Sequence, residues 1–334
     1  MIFNIKIDDT KKILDFLNIT DSESVDVCIS NNTALFICNT VDIFVTLKMN
    51  CKSSVGAKDV SFRIKSSFLS KLVIEGSISF EFIEDNQIKV SFKHLNNSIA
   101  YSFIMKKQIV YRDLYADKLN ILTNIKNYEK IDLSELELFR KITSTNDCIL
   151  NISNKVASLN YGNIRVYKEV NMNCNFAVYT KTFRALTKFS NYVFNIENFL
   201  CIATKELFIV ANKCKLNNNE EYAYLKEQKS AYRSVVDFTN LRYITNKLNI
   251  KDEYAIMDFE KKSAEIKYKG TIFSVPLVER DVKHSDNFKL GQIGIPLHLL
   301  KGIFNKIPNC EFVYDKKKYF SKLEQNGLIL IFRS

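Results

Sequence analysis

The sequence has no Trp, and only 3 Pro, 8 Gly and 3 His in 334 residues. So little Pro and Gly excludes a long flexible or Pro-rich linker, since such linkers are built from those residues. The histidines, His94, His284 and His298, fall at unrelated places and leave little material for acid–base chemistry near neutral pH. Paired histidines at metal spacing, a phosphate-cradling Gly-rich loop and a G-x-S-x-G elbow are all missing. The expectation is a protein that is not an enzyme and needs no cofactor or metal. No uncharged apolar run reaches the roughly 18 residues of a membrane span. The opening Met1-Ile2-Phe3-Asn4-Ile5-Lys6-Ile7-Asp8 alternates and carries charge, unlike a signal peptide.

The chain does have eight cysteines, at 28, 38, 51, 148, 174, 201, 214 and 310. None forms a C-x-x-C pair and most sit in apolar runs, so they are expected to be buried thiols in a reducing, cytoplasmic compartment. Hydrophobic residues make up 46% of the chain and the net charge is +11. A surplus of that size favours a polyanionic partner, nucleic acid or an anionic membrane surface; a solubility surplus spread over the surface is the alternative.

One pattern recurs six times: an alternating strand, a short helix, then three more alternating strands. The strand–helix heads begin at Ile5, Phe62, Ile131, Phe176, Val235 and Ile293. In the last three, Val178, Val236 and Ile295 are followed at equal spacing by Phe183, Leu241 and Leu300, then by Leu186, Ile244 and Ile303. Positions three apart share a helix face, so each helix should carry one apolar stripe and one exposed face. Asp9, Ser66, Ser134 and Thr239 are expected N-caps. The interval from Ile64 to Leu133 is the longest between heads, which places a linker at about 109–128. A polar loop from Leu216 to Glu221 reads as a second domain connection. The units then pair into three similar α+β domains, 1–112, 113–222 and 223–334, each with two short helices and eight strands.

Six such units in three domains resemble the sliding DNA clamp family, in particular the bacterial DNA polymerase III beta subunit and its phage counterparts. The resemblance is architectural over the whole chain and sequence-like at two places. Ala231-Tyr232-Arg233-Ser234-Val235 resembles the Asp-Tyr-Arg-Arg-Val segment that opens the third domain in bacterial clamps. Leu330-Ile331-Phe332-Arg333-Ser334 sits where those clamps end in Met-Pro-Met-Arg-Leu. The second-domain Thr-Asp-Gly-His-Arg-Leu segment is replaced by Asn160-Tyr161-Gly162-Asn163-Ile164-Arg165, keeping only the Gly, and the terminal Pro is missing. The pattern is that of a divergent, phage-like clamp.

The resemblance implies a head-to-tail homodimeric ring with helices lining its hole, a processivity factor that encircles duplex DNA without reading its sequence. The helices then ought to be basic opposite their apolar stripes. They offer Lys11 and Lys12; Lys71; Arg140 and Lys141; Lys181, Arg184 and Lys188; Arg242 and Lys247; Lys301 and Lys306. The resemblance further implies that DNA polymerase and clamp loader dock by short peptides in an apolar groove. Its expected residues are Gly162, Ile164, Tyr232, Val235, Leu328, Leu330 and Phe332, with Leu328, Leu330 and Phe332 alternating along one face of the last strand. A monomeric nucleic-acid-binding adaptor of related fold is the alternative.

Overall fold

The computed structural model describes residues 3–333 apart from 8–9, 20–21, 31, 54–59, 73–75, 84–86, 95–99, 107, 109, 111–114, 143–147, 162–163, 218–221, 223–231, 249–253, 285–289, 297–308, 316–319 and 326–327. The first third opens with β1 (Phe3–Ile7), α1 (Lys11–Leu17) and a meander of β2 (Ser24–Ser30), β3 (Thr33–Asn39) and β4 (Ile43–Asn50). The short β5 (Lys52–Ser53) follows, then β6 (Val60–Lys65), α2 (Ser66–Leu72) and the meander β7 (Gly76–Ile83), β8 (Gln87–His94) and β9 (Ala100–Lys106). After α3 (Ala116–Asn124) come β10 (Glu129–Asp132), α4 (Glu137–Ile142), β11 (Ile149–Ser153), β12 (Val156–Tyr161) and β13 (Ile164–Glu169). The next unit is β14 (Phe176–Tyr179), α5 (Thr180–Phe189), β15 (Tyr192–Ile196), β16 (Phe199–Ala203) and β17 (Leu207–Asn212). The last third holds β18 (Tyr232–Asp237), α6 (Thr239–Leu248), β19 (Tyr254–Asp258), β20 (Ser263–Tyr268), β21 (Thr271–Pro276) and β22 (Val278–His284), then β23 (Gln292–Pro296), β24 (Asn309–Asp315), β25 (Phe320–Gln325) and β26 (Leu328–Arg333). The helix expected at 297–304 lies outside the described residues.

Paired units exchange their head strands. β6 joins the β2–β4 meander while β1 joins β7–β9; β10 joins β15–β17 while β14 joins β11–β13; β18 joins β24–β26 while β23 joins β19–β21. β22 is an addition the repeat did not announce, and it pairs with β18 across a bulge between Arg233 and Val235. By compactness the chain divides into Met1–Ile131 with Ala185–Lys213, and Asp132–Arg184 with Cys214–Ser334. The first unit holds a five-stranded sheet, β5-β1-β7-β8-β9, and an eight-stranded one, β10-β15-β16-β17-β4-β3-β2-β6. The second holds a nine-stranded sheet, β14-β11-β12-β13-β26-β25-β24-β18-β22, and a four-stranded one, β21-β20-β19-β23.

The two long sheets each contain a seam between neighbouring repeat pairs. In one, Ile43–Leu47 of β4 lies antiparallel to Leu207–Ala211 of β17; in the other, Ile164–Lys168 of β13 lies antiparallel to Leu328–Phe332 of β26. Each seam joins the last strand of a first-half meander to the last strand of a second-half meander. Among the described residues, two strands of these kinds stay at sheet edges, β21 and β9.

Sheet burial follows from what covers each face. β7 alternates buried and half-buried residues because only one face meets the core. β2, β4 and β17 are buried almost continuously because both faces are covered. The second cover comes from the stretch expected to be a linker. Within 109–128 the structure has α3 and a 3-10 turn, Ile125–Asn127, and Val110, Tyr115 and Ile125 are buried against Phe44, Cys201, Phe208 and Val210.

Tyr115 pins this connector. Its ring centroid is 5.6 Å from that of Phe44, and its hydroxyl donates to Asp26, which is buried and also receives two hydrogen bonds from Arg63, at 2.6 and 2.9 Å. Burial, followed by the bond to Asp26, pushes the Tyr115 hydroxyl up to about 12 from an ordinary 10.0. A raised folded-state pKa gives stability that is complete below the ordinary value and lost as pH rises through the folded one. Tyr115→Phe should cost about 1 kcal/mol at neutral pH. In chemical denaturation, the gap between wild type and variant should shrink as pH rises from 10 toward 12. A gap independent of pH would refute this role.

One glycine is fixed by a close approach. A Cβ on Gly76, at the start of β7, would lie 2.0 Å from the Lys93 carbonyl oxygen. The Gly76 amide donates to the Thr10 hydroxyl at 3.1 Å, tying the start of α1 to the sheet and leaving that hydroxyl unavailable as a cap.

Candidate nucleic-acid and partner interface

The helices divide into buried and exposed faces largely as their spacing predicts. On α5, Phe183 and Leu186 are fully buried, Lys181 and Arg184 are half-buried and Lys188 is exposed. On α1, Ile13, Phe16 and Leu17 are buried while Lys11 and Lys12 are exposed. On the segment entering and forming α4, Leu136 and Phe139 are buried and Arg140 is exposed. On α6, Leu241 is buried, Arg242 half-buried and Lys247 exposed, but the second inward residue is Thr245 rather than the expected Ile244. The Thr245 hydroxyl donates to the Arg242 carbonyl at 2.9 Å, so the side chain can enter the core with its polar atom satisfied. Lys71 lies in α2 and Lys141 in α4; Lys301 and Lys306 lie outside the described residues.

Several of these cations have carboxylate neighbours. Lys12 Nζ is 2.8 and 2.6 Å from the two oxygens of Glu206. Lys188 Nζ is 4.0 Å from Asp15 on α1, and Arg140 is 4.0 Å from Glu137. Exposed pairs of this kind contribute well under 1 kcal/mol, so a phosphate can displace the carboxylate at small cost.

The caps differ from expectation by two residues. Asp237 Oδ1 accepts from the Thr239 amide at 2.9 Å and from its hydroxyl at 2.6 Å, and Asp132 Oδ1 accepts from the Ser134 amide at 2.9 Å. The aspartate ending each of these two head strands therefore engages the first amide of the turn that follows, and the bonds from Thr239 hold the Asp237 carboxyl below its ordinary pKa. Ser66 is the first residue of α2, its hydroxyl without a hydrogen-bond partner among the described residues, and Asp9 is outside them.

On the nine-stranded sheet, the expected groove residues do not share one open face. Leu328 and Leu330 are 6% and 1% exposed. They stand opposite Lys168 and Val166 on β13, and Lys168 donates to the Glu135 carbonyl at 2.7 Å, so this face looks toward the helix side and the core. The outward residues are Ile329 and Ile331, clustered with Val156, Tyr167 and Tyr222, the residue that follows the second connector. Tyr167 and Tyr222 have ring centroids 5.7 Å apart. Tyr232 is buried too. Its ring packs against Phe259 and Phe312, and its hydroxyl donates to Glu279 at 2.5 Å. Burial, then that bond, raises the Tyr232 pKa. Val235 is half-buried on the opposite face of β18. Ile164 and Phe332 are backbone register partners across the seam, and Gly162 is outside the described residues. Spacing alone could not choose the face, because Leu328 to Phe332 is apolar at every position.

Six head strands exchanged within three pairs of meanders, five of them followed by a helix among the described residues, with the pairs joined edge to edge, define the sliding-clamp fold. Compared as a sequence, the chain matches no family model and no curated protein. Compared as a structure, it is similar over nearly its whole length to bacterial clamps. The DNA polymerase III beta chain of Streptococcus pneumoniae superposes with a TM-score of 0.64 at 11% identity, covering 100% of this chain and 99% of that one. The DNA polymerase sliding clamp of Bacillus subtilis gives 0.64 at 9% identity over 100% and 99%. The DNA polymerase III subunit beta of Borrelia burgdorferi gives 0.62 at 11% identity over 99% and 97%. The fold is shared while the sequence has diverged almost completely.

Proposed function

We propose that this protein is a sliding clamp: three domains per chain, two chains per ring, encircling duplex DNA and tethering a polymerase and its clamp loader. The observation that carries the reading is the set of strand edges. Both intrachain seams join a first-half to a second-half meander, and among the described residues one edge of each kind is left over, β21 and β9. Each edge also carries an exposed Ile on its outward face, Ile272 at 62% and Ile104 at 60%. Repeating the seam between copies pairs β21 of one with β9 of the next. That contact is heterologous, and two such contacts close a dimer. A row of unpaired strand groups with an exposed Ile is otherwise an aggregation hazard.

The basic faces of α1, α4, α5 and α6 would contact the DNA backbone, with no base readout. Partners would dock by short peptides on the outward face of the nine-stranded sheet, where Val235 is accessible and shares its face with Ile329 and Ile331, while Leu328 and Leu330 face the core and hold the strand in place. The test is polymerase stimulation on long primed templates. Val235→Asp should reduce it by at least about 10-fold, as expected for a hot-spot position, with dimer mass unchanged. Wild-type stimulation by this variant would place the partner site elsewhere.

A further inference from the structure

We propose a second docking surface, on the outer face of the eight-stranded sheet, for an acidic peptide carrying a Leu or Phe anchor. It is built on a different sheet from Val235 and does not depend on ring closure. The connector that covers this face stops short. Tyr115 and Ile125 close the part over Phe44 and Val210. Beyond α3 a cleft of about 380 Å³ stays open. Its floor is Leu35, Thr46 and Phe208, one wall is Leu119 and Leu122 of α3, and the other is the Thr204–Leu207 turn. The volume falls in the range of real ligand pockets and is enough for one or two large side chains.

Two observations point to the occupant. Leu122 is 40% exposed on a helix that buries none of its own residues, so the wall offers apolar surface that the described residues do not cover. The rim is electrostatically one-sided. Lys48 and Lys205 line it and are exposed, against one carboxylate among its lining residues, Glu206, so the rim's cations outnumber its anions even without Lys12, which reaches Glu206 at 2.6 and 2.8 Å. What remains is an apolar slot beside two cations, complementary to an apolar anchor flanked by Asp or Glu.

The experiment uses the full chain and two fluorescent peptides, one with Leu-Phe flanked by Asp and Glu, one with the same Leu-Phe flanked by Lys. Anisotropy should show binding of the acidic peptide at least tenfold tighter than of the basic one. Leu122→Asp, and separately Lys48→Glu with Lys205→Glu, should each weaken it tenfold or more with unchanged melting temperature. Hydrogen exchange should then show peptide-dependent protection at β3, β4 and α3. Equal binding of both peptides would overturn the proposal. So would protection confined to β13, β18 and β26, which would mean that the peptide uses the groove near Val235. No binding of either peptide at millimolar concentration would overturn it as well.

Discussion

Ile272→Arg is expected to convert the protein from a dimer into a monomer of 38.8 kDa, read by sedimentation at micromolar concentration. Ile272 stands in the edge strand β21 with 62% of its surface exposed, so the folded chain loses little by the change. In the proposed dimer every subunit would use this edge once, and one substitution would act at both contacts. The intrachain seams show what the residue would meet. At β13–β26 the outward pair is Tyr167 and Ile329, and at β4–β17 it is Phe44 and Val210, apolar in both cases. A buried Arg without a partner charge costs several kcal/mol at each contact, enough to dissociate an assembly held by two of them. Ile104→Arg on β9 should behave the same way. If both variants stay dimeric, closure uses another surface and the edge argument fails.

The second large effect is on DNA. Lys181→Glu, Arg184→Glu and Lys188→Glu together reverse the accessible charge of α5, while Phe183 and Leu186 continue to bury its other face. Retention on DNA should fall by at least about 100-fold at moderate salt. The slope of log affinity against log salt should flatten by up to about 3, at about 0.9 for each phosphate no longer neutralised. Melting temperature should change little, since exposed ion pairs such as Lys188 with Asp15 contribute little to stability. An unchanged slope would remove α5 from the DNA-facing set.

Much of this architecture is legible in the sequence because most strands present a single face to the core. Gly76–Ile83 and Gln87–Phe92 alternate, and their strands fall where the alternation places them. The spacing Val178, Phe183, Leu186 likewise marks the inward face of α5. Legibility ends where both faces are covered. Leu328–Phe332 is apolar throughout, and only the pairing of Lys168 with Leu328 reveals that Ile329 and Ile331 point outward. α3 is hidden for the opposite reason: none of its residues is buried, so its periodicity carries almost no signal. The exchange of head strands between paired units is a long-range feature that no local pattern encodes. The residues proposed to face DNA are accessible to sequence reasoning only as a consequence of the repeat, since a Lys on one solvated helix says nothing by itself.

The measurement that bears most directly on a ring around DNA is topological. Protein loaded by its clamp loader onto nicked circular DNA should remain bound through gel filtration in moderate salt. It should then be released when a single restriction cut opens the circle, with no change in sequence or charge. Equal retention on circular and linear DNA, or immediate loss from both, would contradict encirclement and leave only surface attachment.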